Sequence, residues 1–214
     1  MDTPVTLGLI AANVILSLIA FSNQDLLSKT IMWPYGVKRY NQYYRFITSG
    51  FIHADYMHLF FNMFTLFFFG RMVEMYFAGY GLGGNISYLA LYFLGLVVSD
   101  IPTYLKHRDD YNYHCLGASG AVSAVLFAGI VFSPWSSIYL YGALKLSAML
   151  FAVLYIIYCV YMAKRNSDNV NHDAHLWGAL FGVGFTIALI ATMQPQLLEY
   201  ILEELKNPSL FGRG

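Results

Sequence analysis

Six apolar stretches of near-membrane length divide this chain of 214 residues and limit its possible folds more than any other feature. Their approximate bounds are Val5 to Phe21, Met57 to Phe77, Ile86 to Leu105, Leu116 to Phe132, Ala143 to Met162 and Ala174 to Met193. A helix needs about 20 apolar residues to cross the hydrocarbon core of a bilayer. The stretches lack the alternation typical of membrane β-strands. The sequence therefore predicts an all-α membrane protein, a bundle of six transmembrane helices.

The composition indicates that lipid is the solvent. Hydrophobic residues make up 58% of the chain and charged residues 11%, whereas a soluble domain carries about 25% charged residues. A soluble core of this size cannot hide so much apolar surface. Twelve Lys and Arg residues balance twelve Asp and Glu residues, so no net charge attracts nucleic acid. We expect the lipid bilayer as a partner and do not expect nucleic acid.

Two segments outside the apolar stretches have the character of a membrane interface. Residues 22–56 form a long first loop that mixes aromatic rings with cations, a combination suited to the headgroup region. Near the end of the chain, apolar residues recur at helical spacing opposite three glutamates, which predicts an amphipathic helix on the surface. We therefore divide the chain into a six-span domain, residues 1–195, and an amphipathic tail, residues 196–214.

Polar side chains inside the apolar stretches are few, and their cost in lipid means that they usually mark function or a specific contact. His58 and Asn62 lie one helical turn apart in the second stretch, while Ser119 and His175 open the fourth and sixth. In a six-helix chain these three helices enter the membrane from the same side, so the four side chains share one leaflet. A hydroxyl, an imidazole and two hydrogen-bond donors are the groups that acyl transfer needs.

Small residues predict which helices touch. They recur every four positions at Gly120, Ala124 and Ala128 of the fourth stretch and at Gly178 and Gly182 of the sixth. Such faces let two backbones approach closely, which would bring Ser119 near His175. Each pattern alone is equally typical of ordinary helix packing in a membrane bundle, but its coincidence with Ser and His favours a site.

Three motifs in a fixed order resemble the rhomboid family of intramembrane serine proteases. They are HLFFN at 58–62, GASG at 117–120, and AHLWG at 174–178 followed by Gly182. Arg45, preceded by Tyr44, resembles the Trp-Arg pair of the family, and Glu74 matches an acid late in the second span. The chain departs from the family at Ser123, where an aromatic residue often packs against the catalytic imidazole. Ser123 lies one turn after Ser119 and would offer a hydroxyl contact instead.

The resemblance implies an endopeptidase that cleaves single-span membrane proteins within or next to their transmembrane helix. Ser119 would be the nucleophile and His175 its general base, a dyad without a third member. The implied oxyanion and substrate-binding groups are His58, Asn62, Gly117 and the backbone N–H of Ser119. The implied structural residues are Arg45, Glu74, Gly120, Gly178 and Gly182. Asp173 is not assigned as the orienting acid, because two residues before His175 it points to another side of the helix.

The family also implies a substrate route and an orientation. The fifth stretch would be a lateral gate, and the connection Lys164 to Asp173 a cap over the pocket. The implied location is a prokaryotic inner (plasma) membrane with both termini cytoplasmic and the pocket facing outward. The distribution of Lys and Arg predicts the reverse, because most of these cations lie in loops on the pocket side. We follow the family arrangement as the expectation.

The remaining ionisable residues are assigned simpler roles. Arg71 and Glu74 are expected to pair with each other or with groups near the far interface, and Asp100, just before Pro102, is expected to end a helix. Four further histidines are expected to be solvated or interfacial: His53, His107, His114 and His172. Since the chain has neither an HExxH motif nor a converging cysteine set, we expect no metal site and no cofactor.

Two other classes of protein compete with the protease interpretation. The main alternative is a catalytically inactive rhomboid-like protein that binds membrane helices without cleaving them. A small transporter is less consistent with the sequence, because charged pairs along a conducting path are missing.

Overall fold

The computed structural model describes residues 2–140, 144–165 and 170–213, and it is mostly helical. In chain order the helices are α1 (Pro4–Ser22), α2 (Gln24–Thr30), α3 (Pro34–Tyr40), α4 (Arg45–Thr48), α5 (Tyr56–Thr65), α6 (Arg71–Gly79), α7 (Gly84–His107), α8 (Ser119–Phe132), α9 (Ala148–Arg165), α10 (His172–Met193) and α11 (Pro195–Leu205). Four helices within the described residues are long and apolar enough to cross a membrane: α1, α7, α9 and α10. The predicted count of six spans is therefore not confirmed.

The second apolar stretch is helical throughout but is divided into three segments. A π-helical turn, Leu66–Gly70, separates α5 from α6. The residues that flank it keep right-handed helical backbone angles, so the rod continues through the turn. Its outer surface carries exposed rings, among them Phe60, Phe64 and Phe68, as expected of a face that meets lipid. Single π turns of this kind occur frequently at functional sites.

Helix α8 lies at the centre of the bundle. Every residue from Gly120 to Ile130 is buried, and the helix packs against α7, α10 and the π turn. It has 14 residues, shorter than the predicted stretch, because the chain does not become helical until Ser119. Gly117 has a φ of +120°, which glycine tolerates and a right-handed helix cannot contain. The prediction that this helix starts at Leu116 is therefore wrong.

The start of the fifth predicted span also differs from the structure. Strands β1 (Ser137–Leu140) and β2 (Leu144–Ser147) form an antiparallel hairpin, with Ser137 opposite Ser147 and Ile138 opposite Leu146. Helix α9 begins only after this hairpin, at Ala148, and the predicted first residue, Ala143, lies outside the described residues. An all-α chain was expected, but residues 144–147, just before a membrane helix, pair with residues 137–140 as strands.

The first loop folds into the short helices α2, α3 and α4, and Arg45 joins them. Its buried guanidinium donates from Nε to Oε1 of Gln42 at 2.7 Å, and from Nη1 to the carbonyl oxygens of Ser28 at 3.0 Å and Ile31 at 2.5 Å. These carbonyls belong to the end of α2, where a cation also complements the helix dipole. Arg45 thus fixes α4 against α2.

Glu74 in α6 caps the first helix. Its Oε1 accepts a hydrogen bond from the backbone N–H of Val5 at 3.0 Å, and its Oε2 accepts from the N–H and hydroxyl of Thr6 at 2.8 and 2.6 Å. Arg71 donates to the hydroxyl of Thr3 at 3.1 Å. Two contacts were expected for Arg71 and Glu74: with each other, or with groups near the far interface. The structure contains the second kind, with residues at the start of α1.

Helix α11 forms in the segment where an amphipathic tail is predicted. Ile201 is buried, and Leu197 and Leu198 pack against the main core. Tyr200 and Leu202 are exposed. The apolar side of the helix is thus shared between the core and the surroundings, and its contact with lipid remains a prediction.

Candidate functional site

Ser119 is the first residue of α8, and hydrogen bonds to the first loop fix the turn before it. The backbone N–H of Gly117 donates to the carbonyl oxygen of Ser49 at 3.0 Å. The backbone N–H of Ala118 donates to Nε2 of His53 at 3.5 Å. These contacts hold the two residues before Ser119. The first loop therefore helps to fix the position of the Ser119 backbone at the start of α8.

His53 is a structural histidine that the sequence analysis misassigned. Only 1% of its surface is exposed, so the expectation of a solvated or interfacial ring is wrong. A backbone N–H can only donate, so Nε2 accepts from Ala118, and Nδ1 carries the proton and donates to Oγ of Ser17 at 2.9 Å. The neutral ring thereby joins α1 to the turn before Ser119. A single histidine outside a recognised motif gives no sequence signal for such burial.

This arrangement predicts a pH dependence of stability. The pKa of His53 is lowered from 6.5 to about 3, chiefly by burial and in part by nearby His58, while Asp55 opposes the shift. The unfolded chain binds a proton at His53 below about pH 6.5, while the folded protein does not until about pH 3. Stability is therefore fully present above pH 6.5 and falls as the pH drops, by up to about 1.4 kcal/mol per pH unit.

Thermal unfolding of the protein in detergent, measured between pH 7 and pH 4, checks this prediction. The His53→Gln variant is expected to be less stable at neutral pH but to show a shallower decline with acidification. His114→Gln, which changes an exposed histidine, provides the matched control. An identical slope in wild type and His53→Gln would contradict the assignment.

His58 presents a hydrogen-bond donor toward the turn before Ser119. Asp55 caps α5 by accepting from the backbone N–H of His58 at 2.8 Å. The N–H of Ala54 donates to Nδ1 of the imidazole at 3.4 Å, so in the neutral ring Nε2 carries the proton. The Cε1–Nε2 edge of the ring lies over Gly117, where a Cβ atom would come within 2.5 Å of Cε1.

Asn62 lies one turn further along α5 and is buried. Its side-chain nitrogen donates to the carbonyl oxygen of His58 at 2.9 Å. This bond uses one of the two N–H groups of the amide, which leaves a second donor on the same nitrogen. The structure thus places His58 directly at the Gly117 turn and Asn62 deeper along the same helix.

Glycines bring the starts of α8 and α10 together. A Cβ atom on Gly178 would lie 2.1 Å from the carbonyl oxygen of Gly120, and one on Gly182 would lie 2.1 Å from that of Ala124. The two backbones therefore touch, as the small-residue pattern predicts. A Cβ atom on Gly120 would also lie 3.5 Å from the carbonyl oxygen of Ala174. Ser119 directly precedes Gly120, and His175 directly follows Ala174.

Tyr155 of α9 is a site residue that the sequence analysis missed. Its ring stacks on the imidazole of His175, with a centroid separation of 6.3 Å and an interplanar angle of 21°. Its hydroxyl lies 2.8 Å from the hydroxyl of Ser123. The hydroxyl contact expected of Ser123 therefore goes to Tyr155, and the aromatic ring beside His175 comes from α9 instead of α8. No local pattern predicts this contact, because it depends on the packing of separate helices.

Asn171 fixes the beginning of the helix that carries His175. Its Oδ1 accepts from the backbone N–H of Ala174 at 3.1 Å and from the hydroxyl of Thr103 at 3.0 Å. An Asn directly before a helix is a recognisable sequence signal for such a cap. Asp173 lies 3.2 Å from the ammonium group of Lys106, so its carboxylate is engaged on the α7 side.

The expectation that Asp100 ends a helix is wrong. Helix α7 does not end at Asp100 but continues through Pro102 to His107, as membrane helices often do when neighbours satisfy the freed backbone groups. Asp100 instead lines a small cavity beside Ser119, together with Ser99 and Asn171. The predicted cap over the pocket is the connection Lys164 to Asp173. Its residues 166–169 lie outside the described residues.

Comparisons with family models and with curated proteins agree on one family. A model of the rhomboid domain matches residues 40–192. RHOMBOID-like protein 12, mitochondrial, from Arabidopsis thaliana is 30% identical over 189 residues, which cover 83% of this chain and 56% of the relative. Rhomboid-like protein 11, chloroplastic, from the same plant is 33% identical over 154 residues, 66% of this chain and 50% of the relative. A Bacillus subtilis (strain 168) protein provisionally named rhomboid protease YdcA is 30% identical over 172 residues, 78% of this chain and 79% of the relative.

The chain belongs to the rhomboid family. It spans about half the length of the two plant relatives. With its long apolar helices it is an integral membrane protein. The relatives are named as mitochondrial and chloroplastic as well as bacterial, so the expected prokaryotic inner membrane gains no support.

Proposed function

We propose that this protein is an intramembrane serine endopeptidase that cleaves single-span membrane proteins within or next to their transmembrane helix. The observation that carries the proposal is the backbone contact between Gly120 and Gly178, which sets Ser119 and His175 on adjoining helix starts. Membership of the rhomboid family supports the same conclusion. A serine at the start of one helix and an imidazole at the start of its neighbour suit nucleophilic catalysis.

In the proposed mechanism Ser119 Oγ attacks the scissile carbonyl carbon while His175 takes the hydroxyl proton. The protonated imidazole then gives that proton to the leaving amine as the peptide bond breaks. Water hydrolyses the resulting ester, with His175 again acting as base and then as acid. The products are two peptides, and Ser119 regains its hydroxyl.

The developing oxyanion needs donors that are already in place. The Nε2–H of His58, which lies against Gly117, is suitably oriented by its contact with Ala54. The backbone N–H of Ser119 and the second amide N–H of Asn62 are the other proposed donors. The N-terminal end of α8 favours negative charge at the same place.

The length of α8 is consistent with a catalytic serine that lies below the membrane surface. At 1.5 Å per residue its 14 residues span about 21 Å, less than the roughly 30 Å of the hydrocarbon core. If its far end reaches the opposite interface, Ser119 lies within the bilayer. We propose that α8 and the rod from Tyr56 to Gly79 complete six spans, with both termini cytoplasmic.

Helix α9 is the proposed entry side for the substrate. Its most apolar window is 17% buried, compared with 28% to 39% in the other three long helices. Because α9 is the least buried of the four long helices, its separation from the bundle costs the least free energy. Since Tyr155 on α9 stacks on His175, movement of this gate would also release the imidazole.

Tyr155 is accordingly a positioning residue for His175, and this predicts a graded mutant series. Tyr155→Leu removes the ring and is expected to lower kcat by up to about tenfold, because an aromatic pair contributes about 0.5–1.5 kcal/mol. Tyr155→Phe and Ser123→Ala keep the ring and are expected to have smaller effects. The pH profile of kcat should shift in Tyr155→Leu alone. Equal activity and equal pH profiles in all four proteins would contradict the positioning role.

Cleavage assays with a panel of fluorogenic single-span substrates in proteoliposomes test the proposed function. Ser119→Ala and His175→Ala are each expected to lower the rate by at least about 10³-fold. Ser22→Ala and His114→Ala, at exposed positions, should retain wild-type rates. Cleavage that persists in both site variants would overturn the mechanism. Wild-type protein that binds the substrates without cleaving any of them would instead support the inactive helix-binding alternative.

A further inference from the structure

We propose that α9 and α10 form a binding site for a borderline or soft transition-metal ion, with Zn²⁺ as the main candidate. Its three ligands are the thiol of Cys159 and the imidazoles of His172 and His175. One ligand atom from each side chain lies within 4.8 Å of the other two. The site shares His175 with the proposed catalytic dyad, so an occupied metal site and a working dyad exclude each other.

The positions of these residues follow from two packed helices. His172 and His175 are three residues apart, which places them on one face of α10, and their ring centroids are 5.8 Å apart. Cys159 lies on α9, which packs against α10. Cys159 and His172 are buried, with 0% and 4% of their surfaces exposed, and His175 is half-buried. The expectation that the His172 ring is solvated or interfacial is therefore wrong. Buried donors from separate helices are held in place by packing and not by a flexible loop.

The donor set selects the class of metal. A thiolate and imidazoles suit Zn²⁺ and related ions, whereas Mg²⁺ and Ca²⁺ require oxygen ligands. In a tetrahedral zinc site, neighbouring ligand atoms lie about 3.5 Å apart, given Zn–S and Zn–N distances of about 2.3 and 2.0 Å. Side-chain movements of about 1 Å would therefore close the cluster around an ion. Three protein ligands leave a fourth position for water.

Binding involves no change of oxidation state. The Cys159 thiol loses its proton to water as the sulfur–metal bond forms, and each imidazole binds through a nitrogen lone pair. Affinity is therefore expected to rise with pH. The lone pair of His175 is then unavailable to accept the Ser119 proton. This inhibitory consequence, unlike the binding itself, rests on the proposed function.

No short motif in the sequence predicts this cluster. Cys159 and the two histidines belong to different apolar stretches, and no local spacing connects them. The expectation of no metal site rested on that missing motif. Only the packing of α9 against α10 brings the third ligand within reach.

Titration of metal-depleted protein in detergent with Co²⁺ tests the binding directly. Wild type and Ser119→Ala are expected to show the thiolate-to-cobalt charge-transfer band of a tetrahedral site. Cys159→Ser should lose this band, while Cys115→Ser, which changes the other cysteine, should keep it. Loss of even an outer-shell partner weakens metal binding by about 10- to 100-fold. His172→Gln removes a ligand and is therefore expected to weaken Co²⁺ binding by at least that factor. Absence of the band in wild type, or its persistence in Cys159→Ser, would overturn the proposal.

Cleavage assays with Zn²⁺ and a chelator test the inhibitory role. Zn²⁺ is expected to inhibit wild type reversibly, whereas Cys159→Ser and His172→Gln should keep basal activity and need at least about tenfold more Zn²⁺ for inhibition. Equal sensitivity of wild type and Cys159→Ser would contradict this role. If the cobalt band forms in a protein that cleaves nothing, the metal site stands and the proposed protease function fails, so the two failures are distinguishable.

Discussion

Replacing Gly178 by alanine is expected to destabilise the protein by about 3 kcal/mol or more. The added Cβ atom would lie 2.1 Å from the carbonyl oxygen of Gly120, a backbone atom that cannot rotate away. Inserting a methyl group into a packed core usually costs about 1–3 kcal/mol, and here two helices must separate to admit it. Separation of α8 from α10 would also move Ser119 away from His175, so activity should be lost together with stability.

Gly184→Ala is the matched control, because it makes the same change on the same helix. A Cβ atom on Gly184 meets nothing within 4 Å. Alanine has the higher helix propensity, so Gly184→Ala should be neutral or stabilising by up to about 1 kcal/mol. Thermal or denaturant unfolding of both variants in the same detergent provides the comparison. A Gly178→Ala protein as stable as Gly184→Ala would show that the close contact of α8 and α10 is not as described.

Gly117→Ala is expected to have a large effect, mainly on catalysis. Its φ of +120° disfavours any side chain, and a Cβ atom would lie 2.5 Å from Cε1 of His58. Displacement of this imidazole would remove a proposed oxyanion donor, and loss of one such donor lowers kcat by about 10²–10³-fold. Substrate affinity should change much less than kcat.

Gly84→Ala separates backbone strain from the loss of the donor. Gly84 also has a positive φ, +55°, but a Cβ atom there meets nothing within 4 Å. Both variants carry a strained backbone, which costs about 1–3 kcal/mol, but only Gly117→Ala displaces His58. Steady-state kinetics on both variants is the measurement. Similar kcat values in the two variants would argue against a catalytic role for the His58 ring.

The parts of the fold that the sequence predicts are those that depend on local hydrophobicity and small-residue spacing. Continuous apolar runs predict the helices α1, α7 and α10 within a few residues. The every-fourth-residue pattern predicts the contact of Gly178 with α8. Both signals work because a membrane helix must satisfy its own backbone and can approach a neighbour only where side chains are small.

The features that the sequence does not predict depend on backbone angles or pairing partners that hydropathy does not register. The late start of α8 at Ser119 follows from the backbone angle of Gly117, which hydropathy does not register. The β-hairpin before α9 forms because residues 144–147 pair with residues 137–140 instead of continuing the helix. His53 is buried because Ser17 and Ala118 satisfy both of its ring nitrogens.

The candidate site likewise has residues that motifs predict and a contact that only tertiary packing explains. Motif resemblance predicts Ser119, His175, His58 and Asn62 as candidate residues, and their proposed roles rest on the family and on the geometry around them. The family often has an aromatic residue at the position of Ser123, so the sequence leaves open which residue packs against His175 in this chain. The ring that stacks on His175 comes from Tyr155, because a serine at position 123 leaves room for that side chain and bonds its hydroxyl. Three-dimensional packing decides which helix supplies the ring.

Covalent labelling with a fluorophosphonate probe tests the central claim most directly. The serine oxygen attacks phosphorus, fluoride leaves, and the hydroxyl proton passes to the base, so labelling reports an activated serine without any choice of peptide substrate. Mass spectrometry of the wild-type protein is expected to locate the adduct on Ser119, and the adduct should be absent in His175→Ala. An adduct on a different serine, or undiminished labelling of Ser119 in His175→Ala, would contradict the proposal that His175 activates Ser119.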